Sequence, residues 1–149
     1  MNPQAKAYWD TYWASQKQEA PTKVTAWKFG GQPDYLAERV VKGLKTATCS
    51  GRIVYDLENE PLPEVNDYSV VLNSKDEPVA IIRTSDVTIQ PMNEVPESHA
   101  RAEGEGDLSY EYWYRVHVEF FTNELEKYGM TFKDDMLLVC ERFELVDVN

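Results

Sequence analysis

Apolar residues near the N-terminus fall at helical spacing. Across residues 4–17, Ala7, Tyr8, Tyr12 and Trp13 gather on one side, and Trp9 with Trp13 is an i,i+4 pair. This predicts an N-terminal helix that packs on the domain as a flap or cover. The period then changes from helical to alternating. From Thr22 to Phe29, Val24, Ala26 and, loosely, Trp27 and Phe29 suit a strand that ends at Gly30-Gly31. Pro33 occupies a first-turn position, and Leu36, Val40 and Val41 keep helical spacing up to the stop signal Gly43. Lys-Thr-Ala-Thr follows that helix end, so Lys45 and the hydroxyls of Thr46 and Thr48 stand on a turn entering the next segment.

Acids, Pro61, Pro63 and the Asn66-Asp67 turn signal make residues 58–67 a loop. The runs Ser69–Asn73, Pro78–Thr84 and Val87–Gln90 are rich in Val and Ile and read as strands of a meander, broken by turn signals at residues 74–77 and at Ser85-Asp86. Residues 93–102 read as a short helix interrupted by Gly104 and Gly106. A longer helix is predicted from near Ser109, with Tyr112, Trp113, Val116, Phe120 and Phe121 as its apolar stripe and Gly129 beyond its end. Met136–Cys140 and Phe143–Val148 close the chain as one or two strands. Strands and helices without regular βαβ alternation predict an α+β fold, a curled sheet or small barrel with helices at its side.

A length of 149 residues suits one core, and 42% apolar content with 4 Trp, 9 Tyr and 5 Phe supplies large groups to bury. No apolar run is long enough for a signal peptide or a membrane span, so a cytoplasmic protein is expected. Cys49 and Cys140 are too few for a disulfide framework, and neither belongs to a zinc-type cluster. A net charge of -11 opposes a broad grip on phosphates. That balance disfavours duplex DNA and leaves room for a nucleoside, or a short single strand, in a locally basic pocket.

Lys45 and Thr48 form the sharpest pair. A lysine whose pKa is lowered by burial or by neighbouring positive charge can take a proton from a nearby hydroxyl. On spacing alone a solvated lysine and a structural threonine are the commoner outcome, because a strand would put the two on opposite faces. The run Glu103-Gly104-Glu105-Gly106-Asp107 offers three carboxylates beside a helix start, for general acid or base work or for a divalent cation. Its ordinary reading is a solvated loop. His99 lies four residues before Glu103 and shares its face if the helix extends that far. Neither His99 nor His117 has a second histidine at ligand spacing. Lys42, Arg52, Arg83 and Arg101 lie near these segments and could clasp a phosphate or carboxylate, although 26 acids are available to pair with 15 basic residues. Trp27, Phe29 and Tyr55 could stack on a base, or fill core.

Taken together, Gly43-x-Lys45-x-x-Thr48, the helix Pro33–Val41 before it, the strand run ending in Arg83-Thr84, and His99 to Asp107 followed by Tyr112-Trp113 resemble the ASCH family over roughly residues 24–147. Residues 1–20 look like the helical extension of a longer bacterial subgroup, leaving residues 21–149 as the ASCH domain. The resemblance implies a PUA-like fold, a small β-barrel with flanking helices, associated with RNA or nucleoside recognition. In small bacterial relatives the same turn and a Glu form an amidohydrolase that removes acyl groups from the exocyclic amine of cytidine, as in N4-acetylcytidine, without a cofactor. Carried over, Lys45 resembles the base, Thr48 the nucleophile and Glu103 the acid, with Glu105 and Asp107 as close competitors for the last role. Phe29, Ser50, Arg52, Arg83, Arg101, Glu105 and Asp107 are then expected around the substrate, with Arg83 and Arg101 orienting the base or stabilising an oxyanion. Other members resemble metal-assisted ribonucleases on single strands, in which Lys45 would hold the phosphate and Glu105 and Asp107 a divalent cation. Still others imply a binding module without catalysis.

Overall fold

A computed structural model describes all 149 residues. In chain order the elements are α1 (Pro3–Ser15), β1 (Val24–Trp27), α2 (Pro33–Val41), β2 (Ala47–Gly51), α3 (Arg52–Leu57), β3 (Tyr68–Leu72), β4 (Pro78–Pro91), α4 (Glu97–Ala102), α5 (Tyr110–Glu126) and β5 (Leu137–Val148). A single 3-10 turn at Met92–Glu94 joins β4 to α4.

The five strands form one mixed sheet in the order β1-β3-β4-β5-β2, parallel between β1 and β3 and antiparallel elsewhere. Two expected breaks are absent. Ser85-Asp86 is not a turn: β4 runs through it, and the register against β5 shifts between Thr84 and Asp86. Such a bulge absorbs an extra residue and bends the strand without ending it. Likewise Met136–Cys140 and Phe143–Val148 fall within one strand, because β5 pairs with β4 along its length and with β2 through Leu138–Arg142. The edge strands β1 and β2 do not pair with each other, so the barrel stays open. Residues of both edges line one cavity of about 760 Å³ in the gap.

Alternation along the sheet divides the core. Val70, Leu72 and Ile81 face α1, where Ala5, Trp9 and Trp13 cover them, while Val71, Ala80 and Ile82 face α2 with Leu36, Ala37 and Val40. A third cluster holds Met92, Val95 and Ala100 against Trp113 and Phe121 of α5 and Leu138 of β5. The N-terminal helix is therefore a packed wall of the domain. No residue of α1 lines either of the two main cavities, so it is not their cover. The short helix α3 was not legible in the sequence. It follows β2 directly, has no side-chain cap and contains no fully buried residue.

Candidate functional site

Gly43, at φ +74°, ends α2 in the left-handed region that favours glycine, and the amides of Leu44 and Lys45 both donate to the carbonyl of Arg39. This tight reversal turns Lys45 inward, where it is 2% exposed. A second segment is fastened to it. Thr46 N–H donates to the carbonyl of Ala102 at 2.8 Å, and Arg39 Nε donates to the carbonyl of Gly104 at 2.6 Å. Gly104 (φ +69°) lies so close to Leu44 that an added β-carbon would overlap the Leu44 carbonyl. Glu103 thus caps α4 directly beside the Lys45 turn.

The Lys45 ammonium donates to the Glu103 carbonyl at 3.3 Å, to Glu103 Oε1 at 3.4 Å and to Glu105 Oε2 at 3.0 Å, and lies 5.2 Å from the centre of the Phe29 ring. Burial works to lower its pKa, but the two carboxylates outweigh burial and hold it above its ordinary value. For Glu103 the opposition runs the other way: burial would raise its pKa, while Lys45 and then His117 keep it well below the usual carboxylate range. Trp113 Nε1–H donates to Glu103 Oε2 at 2.5 Å, and His99 Nε2 lies 3.4 Å from the same oxygen. His117 Nδ1 bonds the Trp113 carbonyl at 2.7 Å, which turns Nε2 toward Glu103 Oε1 at 3.5 Å. Although burial lowers the His117 pKa, Glu103 raises it above its ordinary value overall.

A cavity of about 350 Å³ opens onto this group, lined by Lys45, Thr48, Cys49, Glu103, Glu105 and His117 and walled by Phe29, Tyr35, Tyr112 and Phe120. Its size is that of a small-molecule site. Thr48 lies on β2, and its hydroxyl makes no hydrogen bond within the chain.

Several expected residues stand elsewhere. Arg83 is held by Glu144 at 2.6 Å and by Asn66, Arg101 is exposed and 3.9 Å from Glu97, and Arg52 pairs with Asp56 at 3.0 Å. None of these arginines lines the cavity, because an acid-rich surface offered each a nearer partner. Asp107 also stays outside: it is exposed and accepts from Ser109 N–H at the start of α5. Ser50 lines the neighbouring 760 Å³ cavity, bonded to the Tyr55 hydroxyl at 2.8 Å. Lys42 pairs with Glu38 on the surface.

Three site residues were not singled out from sequence. His117 signals itself as one titratable ring in the buried ladder Trp113–His117–Phe121 of α5, stacked on Trp113 at 4.6 Å. Cys49 follows Thr48 in β2, and burial pushes its thiol well above the ordinary range. Tyr35 carries no pattern beyond helical spacing. The ligand atoms of Cys49, Glu103 and His117 lie within 4.8 Å of one another, close enough to hold a cation. Lys45, 3.4 Å from Glu103, opposes such an ion by charge.

The profile of the ASCH domain matches residues 25–147. Among solved structures, a protein of Enterococcus faecalis V583 is 40% identical with a TM-score of 0.87, the match covering 99% of this chain and 91% of that one. An ASCH domain from Lactobacillus crispatus JV V101 is 32% identical with a TM-score of 0.90, over 97% of this chain and 95% of that one. An ASCH protein of Zymomonas mobilis, at 12% identity and a TM-score of 0.51 over 84% and 70% of the two chains, shares the fold alone. No curated protein matches the sequence. No helix is long and apolar enough to cross a membrane. With most of its length matched by that profile and by relatives this similar, the chain belongs to the ASCH domain family.

Proposed function

We propose that the chain is an amidohydrolase acting on a nucleoside acylated at the exocyclic amine, of the N4-acetylcytidine type, without a metal. One observation carries the reading: Lys45 and Thr48 of one stretch and Glu103 of a distant one line one aromatic-walled cavity of nucleoside size.

In the free protein Lys45 is an ammonium ion and Glu103 a carboxylate, each with a side chain 1% exposed. Burial already opposes the charge on both. A substrate that fills the cavity and expels water strengthens that opposition and favours transfer of one proton from Lys45 to Glu103. The neutral pair has the required polarity. The Lys45 amine takes the proton of Thr48 Oγ1 as that oxygen bonds to the amide carbon, and the Glu103 carboxyl gives its proton to the departing amine as the C–N bond breaks. Water then enters. Glu103 takes one of its protons, the hydroxide attacks the Thr48 ester, and Oγ1 recovers its proton from Lys45 as it leaves. The sum is amide plus water to acid plus amine.

The test is incubation with N4-acetylcytidine while following cytidine release. Turnover in the wild type, retained in part by Thr48→Ser and reduced at least about 100-fold in a folded Thr48→Ala, is expected. No turnover, or full activity in Thr48→Ala, removes the mechanism.

The cluster of Cys49, Glu103 and His117 favours a second reading, metal-assisted cleavage of single-stranded RNA. It predicts RNA cleavage abolished by a chelator and by Cys49→Ala. Binding of short RNA with neither product would leave a recognition module.

A further inference from the structure

The 760 Å³ cavity in the gap between β1 and β2 adjoins the first cavity, and both are lined by Phe29, Gly30, Thr48, Cys49 and Phe120. Thr48 therefore stands at their junction. Glu103 lines the first cavity and not the second. The leaving amine must lie on the Glu103 side of the attacking hydroxyl, which seats the base in the first cavity. An amide carbon within reach of Thr48 then directs its acyl group the other way.

We propose that the gap between β1 and β2 is an acyl subsite that accepts large, uncharged, apolar acyl groups and excludes anionic ones; this rests on the amidohydrolase reading. Size is the first support, since an acetyl group would leave most of this space unused. Lining is the second: Trp27, Tyr55, Pro61, Leu62, Pro63 and Tyr68 offer flat or apolar surface. Charge is the third. The two lysines at the rim are engaged, Lys23 with Asp67 at 2.8 Å and Lys28 with Asp76 at 3.0 Å. Glu60, Glu124 and Glu141 also line the gap and have no basic partner within salt-bridge distance. A carboxylate-tipped acyl chain would enter a space where burial already raises the pKa of Glu124 and Glu141, and no unpaired basic side chain lines it.

The experiment compares kcat/KM for the N4-acetyl, N4-benzoyl and N4-succinyl derivatives of cytidine. Benzoyl is expected to equal or exceed acetyl, and succinyl to fall at least about tenfold below benzoyl. Leu62→Trp, a change in the lining of the gap, should fill it and lower the ratio of benzoyl to acetyl kcat/KM at least about fivefold. Glu124→Gln should recover succinyl hydrolysis by about three- to tenfold. If benzoyl and succinyl are cleaved equally, or Leu62→Trp lowers acetyl and benzoyl alike, the subsite is refuted and the amidohydrolase reading stands. If none of the three is cleaved, both fall together.

Discussion

Lys45 Nζ and Glu103 Oε1, from residues 58 apart in sequence, lie 3.4 Å apart in an ion pair whose two side chains are each 1% exposed. Removing one partner leaves the other charged and buried, which costs about 3–5 kcal/mol. Lys45→Met and Glu103→Gln should each lose that much by urea denaturation. The double variant should lose less than the sum by about 1–3 kcal/mol, since it removes both charges. Strictly additive losses would mean that the pair is not coupled in solution.

Glu105 is the second carboxylate on Lys45, at 3.0 Å, and it reaches solvent more than Glu103 does. Glu105→Gln removes one of the influences that hold the lysine above its ordinary pKa. The limb of the pH–rate profile set by loss of the Lys45 proton should therefore move to lower pH. A fall in rate with an unmoved limb would assign Glu105 a purely structural part.

His117 gives a pH dependence of stability. Its folded pKa is raised above 6.5, so the bound proton stabilises the folded state. That contribution is fully present below 6.5 and disappears as pH climbs through the folded value. The difference in urea midpoint between wild type and His117→Gln should shrink from about pH 6 to about pH 9. A constant difference would show that folding does not raise the affinity of the ring for its proton.

Trp9 is 3% exposed, packed edge-on against Trp13 and Tyr68 on the sheet face away from α2. Trp9→Ala should cost about 3–5 kcal/mol by thermal or urea unfolding. Because α1 lines neither main cavity, KM for a substrate should be unchanged wherever the variant remains folded.

Periodicity made most of the fold readable. Pro33 and Gly43 bracket α2 as expected, and Ser109 caps α5, its Oγ accepting from Tyr112 N–H. The polar pair Ser85-Asp86 misled because a bulge and a turn use the same residues, and only the partner strand decides between them. At the site, the Gly-x-Lys-x-x-Thr turn and Glu103 were legible through the family resemblance. Arg83, Arg101 and Asp107 were not excluded: Glu144 meets Arg83 only through the pairing of β4 with β5, while Glu97 and Ser109, four and two residues from Arg101 and Asp107, are local partners that meet those side chains outside the cavity. Cys49 enters the cavity through strand packing, which has no local signature, whereas His117 shows in the sequence only as the titratable member of the Trp113–His117–Phe121 ladder.

The Thr46–Ala102 hydrogen bond and the close seating of Gly104 on Leu44 rivet two loops main chain to main chain. The surface stretches threaded between them, α3 and the connection before β3, are then free to lengthen or diverge in sequence without disturbing the distance from ammonium to carboxylate. Two small backbone junctions therefore insulate the site from its own intervening polypeptide, a property that would let relatives vary their rims while keeping one centre.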